Sequence, residues 1–300
     1  MRIIYLLLAL SVPTSSYAKI RVVTSSPDLG ALAQEVGGPE IELDVLAKGS
    51  QNLHFLETKP SYMLKLNKAD LFIINGLGLE VGWLAAVIQG ARNPKIKVGQ
   101  PGFLDLGAHI TPIEISAGTI SRADGDVHPD GNPHWTLDPI RAGVAADLIS
   151  QKMGELDSAH ATLYGQRSTA LKKRLAQKTT QWQKRIEATQ IRKVVTYHKT
   201  LNYFLLRFGL EAVDYLEPKP GIPPSAQHTL ELINKIKVQK IPLILIENFY
   251  DDKSAERIAK AVKSVRVRQV AAAVTATPHV ATLDDLYEQL VRAIESGDKP

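Results

Sequence analysis

The sequence predicts an α/β protein of two βα lobes, each with a mostly parallel sheet, joined by a long bridging helix. Short apolar segments alternate with longer amphipathic ones, a pattern that favours parallel strands covered by helices on both faces. A strongly polar helical segment over residues 158–191 interrupts this alternation, which then resumes through the rest of the 300 residues. We therefore expect an N-terminal lobe over 19–157, a bridging helix over 158–191 and a C-terminal lobe over 192–300.

The first lobe is predicted from β-branched runs separated by helix-start signals. Its strands are expected at residues 20–25, 41–46, 70–75 and 96–98. Ser26 and Pro27 form a typical N-cap and first helical residue, and Asp138-Pro139 repeat that pattern after a long loop rich in Gly, Pro, Asp and Thr. Further helices are expected at residues 60–69 and 78–92. These elements alternate as a parallel sheet requires.

The bridging helix and the second lobe follow the same logic. In the bridging segment the apolar residues fall on one helical face, so one side can pack while the other stays in solvent. These positions are Leu163, Leu171, Leu175, Trp182 and Ile186. The strands of the second lobe are expected at 193–197, 212–216, 242–246 and 265–270, and its helices at 201–208, 225–239, 254–262 and 282–294.

Net charge, the N-terminal segment and cysteine content restrict the partners and the cellular location that we expect. The net charge of +5 is small, and the basic residues concentrate in the polar helix without interleaved aromatic residues, so we expect no nucleic-acid partner. Arg2, the apolar run to Leu10 and the small residues of Ser16-Tyr17-Ala18 predict a signal peptide over 1–18 that is cleaved after Ala18. There is no cysteine, which excludes disulfides and a bacterial lipid anchor. We therefore expect a periplasmic protein without a lipid anchor.

Three histidines and one glutamate lie where strands end. His54 follows the second strand, His134 closes the long loop, His198 follows the first strand of the second half, and Glu247 ends a buried strand. In open α/β sheets ligands bind beyond the carboxyl ends of the strands. Three imidazoles and a carboxylate satisfy the four-donor count of tetrahedral zinc, and the absence of thiolates disfavours softer metals. The sequence therefore predicts a metal site in the cleft between the lobes.

Five segments in the same order resemble a known family, the zinc/manganese substrate-binding proteins of bacterial ABC importers. The segments are 54–61 (HFLETKPS), 75–80 (NGLGLE), 131–139 (GNPHWTLDP), Tyr197-His198 with Tyr203-Phe204, and 217–225 (EPKPGIPPS). The resemblance covers nearly the whole mature chain. It implies metal ligands at His54, His134 and His198, and a monomer that captures Zn²⁺ and delivers it to an ABC permease in the inner membrane.

The resemblance also bears on the choice of metal and on the fourth donor. Manganese-selective members of the family tend to have a carboxylate where this chain has His198, so Zn²⁺ is expected in preference to Mn²⁺. Many members place an aspartate after the last strand, but residues 269–274 (QVAAAV) contain no carboxylate. The fourth donor is therefore open, with Glu247 as the first candidate, followed by water and by His128 or His279.

One rival hypothesis uses the same three histidines. A zinc-dependent hydrolase also holds its metal with three protein ligands and leaves one position for water. However, the chain has neither a His-Glu-x-x-His helix nor a Gly-x-Ser-x-Gly elbow. The sequence therefore predicts a carrier and not an enzyme.

Overall fold

A computed structural model describes residues 18–115, 128–219 and 221–298 of the chain. These residues form two four-stranded parallel sheets with helices on both faces. The fold is therefore the two-lobed α/β architecture that the alternation of strands and helices predicts. Apart from Ala18, the predicted signal peptide lies outside the described residues, and so does most of the loop that precedes His134.

The N-terminal lobe consists of a sheet in the order β2-β1-β3-β4 with three helices. Its strands are β1 (Ile20–Thr24), β2 (Ile41–Val45), β3 (Leu71–Ile74) and β4 (Phe103–Asp105), and its helices are α1 (Pro27–Gly37), α2 (Pro60–Asn67) and α3 (Leu84–Ala91). As predicted, Ser26 caps α1, its side chain accepting a hydrogen bond from the Leu29 amide. The strand predicted at 96–98 is wrong, because the chain there forms a 3-10 turn (Pro94–Ile96) and β4 begins only at Phe103.

The C-terminal lobe repeats this topology. Its strands are β5 (Lys193–Thr196), β6 (Glu211–Tyr215), β7 (Leu243–Glu247) and β8 (Arg266–Val270), arranged in the order β6-β5-β7-β8. Its helices are α6 (Asn202–Arg207), α7 (Ala226–Gln239), α8 (Lys253–Ala261) and α9 (Leu283–Asp298). The equivalent strand order places the carboxyl ends of β1 and β5 at corresponding positions in the two lobes.

Two long helices lie between the sheets. Helix α4 (Pro139–Leu156) packs against α5 (Ala161–Glu187), which is the bridging helix and contacts both α1 and α9. Arg174 of α5 binds Glu35 of the first lobe and Asp284 of the second. Four of the five apolar positions predicted for the bridging face are buried, namely Leu171, Leu175, Trp182 and Ile186. The fifth, Leu163, is exposed, so its predicted packing is wrong.

The hydrophobic core is continuous through both lobes. One cluster joins the inner faces of the two sheets to α4, α5 and α9, and it contains the fully buried aromatic residues Trp135, Tyr164, Tyr203 and Tyr287. Two smaller clusters cover the outer faces of the sheets. No helix in the described part of the chain is long and apolar enough to cross a membrane.

Candidate metal centre

The structure brings together the three histidines that the sequence singled out. One ring nitrogen from each of His54, His134 and His198 lies within 4.8 Å of the other two. The Nε2 atoms of His54 and His134 are 3.2 Å apart. Two nitrogens bound tetrahedrally to one zinc ion lie about 3.3 Å apart, so this pair has the spacing that a shared metal requires. The first two histidines belong to the N-terminal lobe and the third to the C-terminal lobe.

His54 and His134 sit in the same kind of turn. Each follows an asparagine two positions earlier, and the asparagine side chain accepts a hydrogen bond from the histidine amide. The distances are 3.0 Å from His54 N to Asn52 Oδ1 and 2.9 Å from His134 N to Asn132 Oδ1. Asparagine favours such local turns because its side chain can replace a backbone acceptor. The repeated Asn-x-His pattern therefore positions two of the three rings.

His198 is held by a buried carboxylate. It follows β5, and its Nδ1 atom is hydrogen-bonded to Glu217 Oε1. The other oxygen of Glu217 accepts a hydrogen bond from the Gly221 amide at 3.1 Å. Both side chains are almost fully buried. A carboxylate on one ring nitrogen fixes the tautomer and leaves Nε2 free to bind a metal, as in carboxylate–histidine–zinc arrangements.

Glu217 is a functional residue that the sequence reasoning missed as such. In the sequence it stands out only as part of the Glu-Pro-Lys-Pro-Gly segment. The signal that could have found it is its place directly after the strand predicted at 212–216, because ligands bind beyond the carboxyl ends of parallel strands.

Glu247 ends β7 at the same edge, as predicted, but the structure does not place it in the histidine cluster. Its carboxyl is not among the ligand atoms that lie within 4.8 Å of one another. The side chain is fully buried, and its two oxygens have no hydrogen-bond partner of normal geometry in the described part of the chain. Burial raises the pKa of Glu247 to about 7, and positive charge on His198 opposes this rise. Its role as a ligand stays a prediction.

The two other histidines considered for the fourth donor, His128 and His279, differ in their distance from the three clustered histidines. The ring of His128 lies next to His54, with their centroids 4.9 Å apart, and its Nε2 atom is buried. His279 is exposed to solvent and does not belong to the cluster. Of these two histidines, only His128 therefore lies beside the predicted ligands.

The electrostatics of the cluster favour neutral imidazoles. Burial lowers the pKa of His54 and of His134 well below its usual range, and positive charge on neighbouring histidines lowers both further. Burial, with a contribution from His198, also lowers the pKa of His128 to about 4. A metal binds the unprotonated nitrogen, so these rings are already in the state that coordination needs.

Fold and site together define a class: a two-lobed α/β protein whose lobes jointly supply histidines able to hold one divalent metal ion. Residues 22–297 match the family model described as the periplasmic zinc-uptake complex component A, ZnuA. The chain belongs to this family, which comprises metal substrate-binding proteins of ABC importers and not enzymes. The family prediction made from the five sequence segments is confirmed.

Individual relatives are distant and differ in the metal they are named for. The chain is 26% identical over 254 residues to the iron-binding protein YfeA of Yersinia pestis, covering 83% of this chain and 76% of YfeA. It is 23% identical over 263 residues to the manganese ABC transporter substrate-binding lipoprotein PsaA of Streptococcus pneumoniae, covering 85% and 81%. A crystal structure of ZnuA superposes with a TM-score of 0.78 at 21% identity, covering 94% of this chain and all of that one.

Proposed function

We propose that this protein captures Zn²⁺ in the periplasm and delivers it to a cognate ABC permease of the inner membrane. His54, His134 and His198 are the ligands in this proposal. The observation that carries it is the convergence of these three rings, from both lobes, within 4.8 Å of one another. Membership of a family of metal-binding importer components supports the same role.

The proposal names zinc because of the donor set. The three clustered side chains are all imidazoles, which suit zinc, whereas manganese prefers carboxylate and carbonyl oxygen. Because relatives are named for iron and for manganese, the test of the proposal compares zinc with manganese directly. The fourth position has Glu247, His128 and water as candidates near the cluster.

The cellular setting is part of the same proposal. The segment 1–18 acts as a cleaved signal peptide, and the absence of cysteine leaves no attachment site for a bacterial lipid anchor. The mature protein is proposed to act as a monomer. A zinc-dependent hydrolase at the same histidines is not favoured, since the family consists of substrate-binding proteins.

The test is elemental analysis of protein purified from the periplasm, followed by competition titration with zinc and manganese. We expect about one zinc per chain and preference for zinc. His134→Ala should weaken zinc binding by at least about 1000-fold, or about 4 kcal/mol, because it removes one of the three proposed ligands. His109→Ala, at an exposed histidine outside the cluster, is the matched control. Equal zinc affinity of His134→Ala and wild type would overturn the proposal.

A further inference from the structure

We propose that His128 is the fourth ligand of this metal centre, which then consists of four imidazoles. This inference rests on the proposed function and extends it to the complete donor set and the choice of metal. It starts from a histidine ring that lies against the cluster and whose outer nitrogen is buried without a hydrogen-bond partner among the described residues.

The ring of His128 lies at ligand-like spacing from His54, although its nitrogens are not within 4.8 Å of all three clustered histidines, so coordination requires the ring to turn toward them. With each nitrogen 2.0–2.1 Å from zinc, the ring centroids of tetrahedral imidazole ligands lie about 5.2 Å apart. The centroid of His54 is 4.9 Å from that of His128, 5.1 Å from that of His134 and 5.6 Å from that of His198. His128 therefore stands in the same relation to His54 as the two predicted ligands do.

The hydrogen bonding of His128 leaves one nitrogen for a metal. The backbone of Leu77 accepts a hydrogen bond from the ring, and Nε2 has no partner within residues 18–115, 128–219 and 221–298, so the bond uses Nδ1. A hydrogen bond from one nitrogen to a backbone carbonyl is the usual way of orienting a histidine ligand. A buried polar atom without a partner is costly, and a bound metal ion would satisfy it.

The backbone beside His128 is shaped to receive its ring. Gly76, Leu77 and Gly78 all have positive φ values, of 80°, 52° and 78°. A Cβ atom at Gly78 would lie 3.2 Å from His128 Nδ1, so a side chain there would crowd the ring. Leucine at positive φ is uncommon, and such strain persists where the surrounding structure requires it. Here the left-handed turn brings the Leu77 backbone to the ring.

The alternatives fit less well. Neither Glu247 nor His128 is among the mutually close ligand atoms, but of the two it is His128 whose ring contacts a clustered histidine. His279 is exposed, and residues 269–274 offer no carboxylate at the end of β8. In this proposal His128 supplies the fourth donor, because this chain has no acidic residue after its last strand. Four nitrogen donors without a carboxylate favour zinc and disfavour manganese, so His128 contributes to metal selectivity.

The test counts imidazole ligands by X-ray absorption on the zinc-loaded protein and measures zinc and manganese affinities by competition. We expect four imidazoles in the wild type and three with an oxygen donor in His128→Ala and His128→Gln. Zinc affinity should fall about 10- to 100-fold, since water takes the vacated position, and the zinc-to-manganese preference should shrink. His109→Ala is the control, and an unchanged melting temperature of the metal-free variants shows that they fold.

Two results would overturn the assignment. One is an unchanged imidazole count and zinc affinity in both His128 variants. The other is three imidazoles and one oxygen donor around zinc in the wild-type protein, which would give the fourth position to Glu247 or to water. Either outcome leaves the proposed function standing as long as His134→Ala still abolishes tight binding. If His134→Ala binds zinc as the wild type does, the proposed function itself fails.

Discussion

At the scale of single residues, the centre is built by assigning the two nitrogens of an imidazole to different partners. A neutral imidazole has one donor and one acceptor nitrogen. Glu217 occupies Nδ1 of His198, and the Leu77 backbone bonds the ring of His128. In both rings the remaining nitrogen is Nε2. Protein contacts thus select which nitrogen faces a metal before any metal binds.

The negative charge of Glu217 is expected to strengthen zinc binding through His198. Glu217→Gln keeps the size of the side chain but removes the negative charge that raises the basicity of the His198 ring. Zinc affinity should fall about 10- to 100-fold, as for other carboxylates that orient a zinc-binding histidine. Competition titration measures this, with Glu231→Gln at an exposed glutamate of α7 as the control. Equal affinities of the two variants would show that Glu217 does not act on the metal.

The sequence predicted the three clustered histidines but not the partner of His198. The positions of His54, His134 and His198 follow from a local pattern, since each lies beyond a strand or at the end of a loop. The contact between His198 and Glu217 depends on β6 lying beside β5 in the sheet. Strand order is a tertiary property, so the pairing could not be deduced from the spacing of the two residues alone.

At the scale of elements, strand ends and short turns place the site. Parallel strands bring Asn75, His198 and Glu247 to the carboxyl edges of the sheets. The one misplaced strand shows where pattern reasoning fails. Ile96 is apolar and buried, but Asn93 caps a turn that starts at Pro94 and puts Ile96 outside the sheet. Phe103 instead pairs with Phe72 of β3, and the two rings contact each other.

The hydrogen bonds of the turn before His134 are expected to affect zinc affinity. Asn132 accepts the His134 amide hydrogen bond and donates to the Lys199 carbonyl at 2.9 Å, tying the ligand turn to the second lobe. Asn132→Ala removes both bonds, together with a third from Asn132 to Glu114 Oε2 at 3.2 Å. It should weaken zinc binding by about 10-fold, because losing supporting groups costs a metal site 10–100-fold.

Asn132→Asp is the matched variant for this prediction. It keeps the acceptor for the His134 amide and loses the amide donor that bonds the Lys199 carbonyl and Glu114 Oε2. Competition titration should therefore place its zinc affinity between those of the wild type and Asn132→Ala. If Asn132→Ala binds zinc as tightly as the wild type, the turn does not limit the position of His134.

At the scale of the whole molecule, buried contacts hold the two lobes together. The main core runs through α4 and α5 without a break between lobes. Asp138, fully buried at the start of α4, pairs with Arg141 of the same helix and with Arg207 of α6 in the other lobe. Asp28 of α1 accepts a hydrogen bond from the Val274 amide at 2.7 Å. We infer that metal binding involves little relative movement of the lobes.

Replacing Arg207 tests how much its ion pair with Asp138 stabilises the contact between the lobes. Both oxygens of Asp138 accept hydrogen bonds from Arg207, each at 2.8 Å. Arg207→Met keeps the apolar stem but leaves the buried Asp138 carboxylate with Arg141 and the Ile140 amide, and it should lower the free energy of unfolding by about 2 kcal/mol. Thermal unfolding of the metal-free protein measures the effect, with Arg257→Met at an exposed residue of α8 as the control. Equal melting temperatures would show that this pair does not join the lobes.

The sequence by itself determined the order of strands and helices, the family and the three clustered histidines, because periodicity, capping residues and short motifs are local properties. The tertiary structure decided that the lobes share one core, that Glu217 orients His198, and that the ring of His128 lies beside His54. Those relations depend on which strand ends and loops become neighbours in space. Packing of the whole chain sets that neighbourhood, so no single segment encodes it.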